Sequence, residues 1–186
     1  SREVEQVIAE VGRIATGPAN VRRTLANADI PWPTITLADG TEARLDAAGY
    51  TKYRAVPDRD DRKRVFDAFW KTWKVYERTL GTALYAQLNR DHFYGQVQNY
   101  PTSLAAALGN DNIPEAVYHT LIRETNANLG TLHRYFKLRA RMLGVDDPGY
   151  HDIYPPLVET DLEFPLERAQ KLALECSRPL SNDYVS

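Results

Sequence analysis

Apolar residues recur at three- and four-residue spacing along two long stretches of the chain. The first stretch runs from Asp60 to about Asn99, and one stripe follows it: Phe66, Phe69, Trp70, Trp73, Tyr76, Leu80, Leu84 and Leu88. This is the period of one face of an α-helix. About forty helical residues would span roughly 60 Å. The helix therefore either breaks, for example near Gly81, or belongs to an elongated lobe, and we favour the elongated lobe.

The second stretch predicts a helix that begins near Ile113-Pro114 and ends near Gly144. Proline suits the first turn of a helix, and glycine is the commonest residue just beyond the last turn. Its apolar stripe consists of Val117, Leu121, Leu129, Leu132, Phe136 and Leu143. Apolar stripes of this kind normally pack against another element, so we expect Leu132 to be buried.

Different patterns precede these two helices. The sequence predicts two short helices, over residues 3–15 and 18–28. The connection after them, at Pro31-Trp32-Pro33, is predicted to be extended because proline cannot continue a helix. Residues 35–45 alternate apolar and polar positions around Asp39-Gly40. An Asp-Gly pair readily adopts the positive φ that tight hairpin turns need, so this segment predicts a β-hairpin.

These elements give a mainly α fold, an elongated helical lobe with two long helices and one small β-hairpin. A last helix is predicted from about Leu166 to Ser177. We divide the chain into residues 1–56, which hold the short helices and the hairpin, and residues 57–186, which form the helical lobe. The ending at Ser186 has no tail-like composition, which indicates truncation of a longer lobe.

Composition excludes some partners. The chain has 23 basic and 25 acidic side chains in 186 residues, a formal net charge of −2, so it lacks the basic excess of a nucleic-acid-binding module. No apolar run approaches the ~18 residues of a membrane span. The one cysteine, Cys176, allows no intrachain disulfide and fits a reducing compartment. We expect a cytoplasmic protein without nucleic-acid or membrane partners.

No short motif for catalysis or metal binding occurs. The four histidines, His92, His119, His133 and His151, are 27, 14 and 18 residues apart, whereas a helical zinc site uses two histidines four residues apart. A nucleophile elbow and a phosphate-binding loop are also absent from the sequence. We therefore assign no catalytic residue, no metal ligand and no cofactor to this chain.

Two polar features are candidates for ligand binding. On the helix 113–144, a polar row lies beside the apolar stripe: Glu124, Asn128, Thr131, Tyr135 and Arg139. The row forms either a hydrogen-bonding seam with a neighbouring helix or one wall of a substrate channel. The second feature is Tyr150, His151, Asp152 and Tyr154, followed by Pro155-Pro156. Tyrosines combine apolar contact with one hydrogen bond, so this segment either contacts a peptide or anchors a loop onto the helices.

Several segments, in this order, resemble the oligoendopeptidase F branch of the thimet-oligopeptidase-like zinc metallopeptidases. They are Asp91-His-Phe-Tyr94, Tyr100-Pro-Thr-Ser-Leu104, Ile113-Pro-Glu-Ala-Val-Tyr118, Asn126–Gly144 and Tyr150–Val158. The resemblance covers residues 35–186. One departure is Gln98, where the family pattern predicts arginine.

The resemblance implies an enzyme with two helical lobes around a deep channel, in which zinc is held by a His-Glu-x-x-His motif and a downstream glutamate. That motif is missing here, so we expect the chain to precede the zinc helix and to be inactive alone. Expected partners are the remaining catalytic lobe, short peptide substrates, and a second copy through exposed apolar surface. The substrate-channel candidates are Tyr150, His151, Asp152, Tyr154, Tyr135 and Asn128. The alternative is a free-standing helical interaction module, with a groove flanked by Tyr135 and Tyr154.

Overall fold

A computed structural model of the chain describes residues 2–158, 165–179 and 181. It falls into two compact units, Ser1–Pro155 and Pro156–Ser186. The larger unit is mainly helical and contains a single two-stranded antiparallel sheet among its described residues. The predicted fold class is therefore confirmed.

The chain begins with two short helices, α1 (Arg2–Gly12) and α2 (Gly17–Thr24), and α2 continues into a π-helical turn, Leu25–Asp29. The break falls beside Pro18, as the sequence predicts. The following segment is extended, and the indole N–H of Trp32 donates a hydrogen bond to the Ala26 carbonyl oxygen at 2.9 Å. This bond ties the extended connection back to the preceding turn.

The predicted hairpin is also confirmed. Strand β1 (Thr34–Thr36) pairs antiparallel with β2 (Glu42–Arg44), with Ile35 opposite Ala43. The turn contains Gly40 at a φ of +84°, a conformation in which a side chain would be strained. The Asp39 carboxylate accepts a hydrogen bond from the Thr41 N–H at 2.8 Å, which closes the turn.

The core of the larger unit lies where this hairpin packs on α3 (Ala47–Tyr53) and α4 (Arg59–Val75). Its buried residues are Leu37, Ala43, Leu45, Tyr50, Val65 and Phe69. The ring of Trp32 stacks on that of Phe69 at a centroid distance of 5.4 Å. The Asp58 carboxylate caps α4 by accepting the Asp61 N–H at 2.8 Å. The core contains residues from both sides of position 56. The division of the chain into residues 1–56 and 57–186 remains a prediction.

The prediction of one continuous helix from about residue 60 to 98 is wrong. Helix α4 ends at Val75, and α5 (Glu77–Val97) begins after Tyr76, whose φ of −99° and ψ of 14° lie outside the helical range. Gly81 lies inside α5. The break lets α5 lie against α1 and α2, so the packed face of α5 differs from the predicted stripe. Leu84 and Leu88 of that stripe are exposed.

After α6 (Ser103–Gly109), the long helix α7 (Glu115–Leu143) has almost the predicted bounds and ends at Gly144 in the left-handed conformation. The predicted burial fails for half of its stripe, whereas Leu129, Phe136 and Leu143 are half-buried. Leu132 is 45% exposed, Val117 is 55% exposed and Leu121 is 65% exposed. Only the C-terminal end of α7 has buried residues, Arg139 and Ala140. The apolar pattern correctly predicts the helix, but within the described residues Val117, Leu121 and Leu132 of its apolar face remain exposed.

The second unit contains α8 (Leu166–Ser177), in agreement with the predicted last helix. Its Leu166, Leu172 and Leu174 are exposed. Within the described parts of both units, no helix combines the length and hydropathy needed to cross a membrane.

Candidate functional site

The buried carboxylate of Asp152 fixes the segment 145–155 against α4. Asp152 is only 1% exposed. Its Oδ1 accepts hydrogen bonds from Arg62 Nη2 at 3.0 Å and Arg59 Nε at 3.2 Å, and its Oδ2 accepts from Arg59 Nη2 at 3.0 Å. The backbone N–H of Gly149 donates to Oδ2 at 2.9 Å. One carboxylate therefore joins the first turn of α4 to a loop about 90 residues further along the chain.

Two buried arginines hold the backbone of the same segment. Arg62 donates from Nε to the His151 carbonyl oxygen at 3.1 Å, and its Nη1 binds the carbonyl oxygens of Val56 and Pro57. Arg139, on α7, donates from Nε to the Asp152 carbonyl oxygen at 2.8 Å and from Nη2 to that of Pro155. Hydrogen bonds from charged donors to buried acceptors are among the stronger ones in proteins. The segment is thus held from two helices at once.

The charge state of Asp152 follows from these contacts. Burial alone would raise the pKa of this carboxyl, but the hydrogen bonds from Arg59, from the Gly149 N–H and from Arg62 outweigh it. The pKa of Asp152 therefore lies well below the usual range of an aspartate. Asp152 is ionised at neutral pH, and both of its oxygens are occupied by donors.

His151 folds back over Gly149, and the ring in this position leaves no room for a side chain at residue 149. A Cβ atom at position 149 would lie 2.6 Å from Cε1 of His151. The imidazole Nε2 lies 3.5 Å from Oδ2 of Asp152, and the ring is 15% exposed. His151 also packs beside Phe66, with ring centroids 6.3 Å apart. These contacts orient the imidazole while leaving part of it accessible.

Tyr150 and Tyr154 form the exposed side of the segment. Their hydroxyl oxygens are 2.8 Å apart and share one hydrogen bond. Tyr150 is half exposed and packs against Phe66 at a centroid distance of 5.6 Å. The guanidinium of Arg54, at the end of α3, lies over the Tyr154 ring with its Cζ 3.7 Å from the centroid. The hydrogen bond with Tyr150 and burial both raise the pKa of Tyr154. The Tyr154 phenol is therefore neutral at physiological pH.

A cavity of about 300 Å³ opens beside this segment, between it and the C-terminal end of α7. Its walls include Phe136, Leu143, Pro148, Tyr150 and Ile153. The walls are mainly apolar, with Arg139 and Asp152 as the charged groups. The cavity is at the small end of the range for ligand pockets. It would accept one apolar side chain.

The six predicted channel residues do not all lie together. Tyr135 is connected to the segment, because its hydroxyl accepts a hydrogen bond from Arg139 Nη1 at 3.3 Å. Asn128 precedes Tyr135 by seven residues on α7, about 10 Å at ~1.5 Å per residue. Its amide donates to the Glu124 carbonyl oxygen on the same helix at 2.8 Å. The structure thus assembles Tyr150, His151, Asp152, Tyr154 and Tyr135, and leaves Asn128 apart.

Three arginines at the site, Arg54, Arg59 and Arg62, were not among the predicted site residues. A signal for two of them exists in the sequence. Arg59 and Arg62 occupy the first turn of a helix, where the macrodipole disfavours positive charge. Their spacing of three places both on one face. A cationic pair in that position is compatible with an anionic partner elsewhere in the fold, but it does not identify Asp152. The sequence carries no comparable signal for Arg54.

The described residues do not fit a zinc site. In the part of the chain that the structure describes, no group of three or more histidine, cysteine, aspartate or glutamate side chains could hold a metal ion. His151 lies near one carboxylate, Asp152, whose oxygens are already bound by arginines. No chemical step can be assigned to a metal held by these residues.

The sequence is similar to those of several bacterial oligopeptidases. It is 34% identical to oligopeptidase PepF of Bacillus subtilis (strain 168), covering 100% of this chain and 28% of that protein. It is 32% identical to group B oligopeptidase PepB of Streptococcus agalactiae serotype III (strain NEM316), covering 94% of this chain and 29% of the relative. The chain therefore spans about three tenths of the length of these curated relatives.

Two solved structures share the fold over the whole chain. One is the oligoendopeptidase-F from Enterococcus faecium, with a TM-score of 0.81, 30% identity and coverage of 35% of its chain. The other is a putative peptidase from Chlamydophila abortus, with a TM-score of 0.82, 25% identity and coverage of 31% of its chain. Residues 52–172, which include α4, α7 and the segment 145–155, match Peptidase family M3. The chain belongs to this family of peptidases.

Proposed function

We propose that this chain forms part of a zinc metalloendopeptidase that hydrolyses short oligopeptides inside an enclosed channel. The observation that carries the proposal is the family match over residues 52–172, together with similarity to proteins named as oligopeptidases over 94–100% of this chain. In this proposal, zinc and the catalytic base come from the rest of the longer protein. The chain alone neither binds zinc tightly nor cleaves peptides.

The role proposed for the chain is to shape the channel and position the peptide. The exposed hydroxyls of Tyr150 and Tyr154 and the partly exposed imidazole of His151 are the groups available for contact with substrate. Asp152 and Arg139 hold the backbone of the segment that carries these groups. Positioning groups act through geometry, so rigid support makes their contacts effective in the transition state.

The exposed apolar face of α7 supports the other part of the proposal. Val117, Leu121 and Leu132 lie on one side of this long helix and are all exposed. A contiguous apolar surface on a soluble protein is usually an interface. The catalytic lobe of the longer protein is its proposed partner. In isolation, the same face would favour self-association. The single cysteine fits the reducing environment of the cytoplasm, where we place the protein.

The test uses the full-length protein and phenylalanine substitutions, which remove one hydroxyl and keep the ring. Tyr150→Phe and Tyr154→Phe should each lower kcat/KM for a quenched-fluorescent peptide about 10-fold, for a loss of ~1.4 kcal/mol of transition-state interaction. Zinc content and melting temperature should be unchanged. Tyr85→Phe is the matched control, because Tyr85 is 66% exposed on α5. Full activity in both variants, or losses that track stability, would show that the segment is structural.

A further inference from the structure

The guanidinium of Arg54 is positioned by aromatic rings, and its donors are free. Its Cζ lies 3.7 Å from the ring centroid of Tyr154 and 5.7 Å from that of Tyr50. Stacking uses the flat face of a guanidinium and leaves the N–H groups at its edge available. The Arg54 side chain makes no hydrogen bond and no ion pair with any residue that the structure describes. The arginine is half-buried, so this is not the usual arrangement of a solvated surface charge.

The buried carboxylate of the segment that carries the two tyrosines already has its own cationic partners. Asp152 receives hydrogen bonds from Arg59 and Arg62 on both of its oxygens, so it does not neutralise Arg54. Within the part of the chain that the structure describes, the positive charge of Arg54 beside the two tyrosines is therefore not paired with a carboxylate. An additional anion would gain from that charge and meet no buried carboxylate that competes for it.

The tyrosine pair adds a neutral donor next to the charge. Tyr150 and Tyr154 share one hydrogen bond between their hydroxyls, and that bond uses one of the two O–H groups. The second O–H remains available to an incoming oxygen atom. A planar guanidinium with parallel N–H groups matches the two oxygens of a carboxylate. The ring of Phe66 beside Tyr150 provides an apolar floor for the adjoining part of a ligand.

From this geometry we infer that Arg54, Tyr150 and Tyr154 bind the C-terminal carboxylate of a peptide. This inference rests on the proposed function, because it names the part of the peptide substrate that this surface recognises. Every oligopeptide with a free end carries that carboxylate, so a site of this kind favours short peptides with free ends over internal stretches of longer chains. Arg54 acts here as a binding residue that contacts substrate, away from the reacting atoms.

Direct binding to the 186-residue chain can be measured by NMR on the tyrosine rings. The probes are N-acetylglycine, which has a carboxylate, and N-acetylglycinamide, which is neutral and otherwise matched. We expect saturable shifts of the Tyr150 and Tyr154 signals with the acid and none with the amide. Arg54→Gln should weaken acid binding at least about 10-fold, as expected for loss of a charge-assisted hydrogen bond. Arg54→Lys, which keeps the charge and loses the planar fork, should have an intermediate effect.

Arg78→Gln is the matched control, since Arg78 is an exposed arginine on α5 outside this cluster. It should bind the acid like the original chain, and circular dichroism should confirm that all variants are folded. Equal shifts with acid and amide, or unchanged acid binding in the folded Arg54→Gln variant, would overturn the inference.

A second experiment, on the full-length protein, distinguishes a failure of this inference from a failure of the proposed function. One peptide is prepared with a free C-terminus and with a C-terminal amide. We expect about 10-fold lower KM for the acid, and Arg54→Gln should abolish that preference. Effects of Tyr154→Phe on the amidated peptide test the proposed function independently of any carboxylate. If Arg54→Gln lowers the melting temperature and leaves the acid-to-amide ratio unchanged, Arg54 pairs with a carboxylate of the protein itself, and the inference fails.

Discussion

Similar apolar residues are buried in the hairpin core and exposed on the middle of α7. In the core, Leu45 and Val65 are fully buried, because the hairpin, α3 and α4 enclose them. On α7, Leu121 and Leu132 have the spacing of a packed helix face but remain largely exposed. A periodic apolar stripe therefore identifies a surface that is suited to packing, and it does not identify the partner. For α7 the partner that we propose is the remainder of a longer peptidase.

The ion pairs of Asp152 are buried, as the hairpin core is. Their loss should have the largest effect on the free energy of unfolding. Asp152→Ala leaves buried Arg62 without its carboxylate partner, which should cost about 3–5 kcal/mol of unfolding free energy. Urea unfolding of the 186-residue chain measures this cost. Asp67→Ala is a suitable control, because its ion pair with Lys63 is exposed. Such surface pairs contribute about 0–1 kcal/mol. Similar losses in the two variants would contradict the structural role of Asp152.

Leucine truncation compares the two regions directly. Leu45→Ala should cost about 2–5 kcal/mol because it creates a cavity in an enclosed core. Leu132→Ala should cost less than about 1 kcal/mol in the same chain, because the side chain is already exposed. Parallel urea titrations measure both losses of unfolding free energy. Their ratio shows how much more completely the core encloses its leucine than the rest of the chain encloses Leu132. Equal losses would mean that α7 is covered within this chain.

The same two variants also test the proposed partner of α7. In the full-length protein, Leu132→Ala should cost about 2–5 kcal/mol, since the catalytic lobe would then enclose that side chain. The cost of Leu45→Ala should be unchanged. A small Leu132→Ala effect in both the isolated chain and the full-length protein would rule out the proposed interface on this face.

A smaller effect concerns pH. The pKa of Asp152 in the folded protein is lowered from its ordinary value of 3.8. A lowered folded-state pKa contributes stability that is fully present above the unfolded-state value and is lost as the pH falls through the folded-state value. Unfolding free energy should therefore decline progressively below about pH 5. Asp152→Asn should flatten this decline. An acid-side slope that is identical in the variant would show that other carboxyl groups cause it.

Much of the fold could be predicted because its signals are local. The Asp39-Gly40 turn, the proline at the start of α7 and Gly144 at its end all specify backbone conformation within a few residues. The break at Tyr76 could not be predicted, because neither proline nor glycine marks it. Its cause is tertiary, since α5 packs against α1 and α2 rather than continuing the direction of α4.

The site was predictable only in part, for the same reason. The density of aromatic and polar groups at Tyr150, His151 and Tyr154 is visible in the sequence, as is the departure from simple amphipathicity at Arg139. The assignment of Asp152 to a buried cluster depends on Arg59 and Arg62, about 90 residues away. Likewise, Arg54 meets Tyr154 only because the fold brings α3 to the segment. Contacts at such sequence separation leave no periodic pattern that a single sequence can reveal.

The most direct test of the central claim compares two proteins in one assay. One is the 186-residue chain, and the other is the product of its reading frame continued beyond Ser186. Zinc content after dialysis and cleavage of a quenched-fluorescent peptide are measured for both. We expect no bound zinc and no turnover for the chain, and stoichiometric zinc with peptide cleavage for the longer protein. Stoichiometric zinc or host-protease-free turnover in the chain alone would contradict the central claim, as would a longer protein that lacks a His-Glu-x-x-His motif.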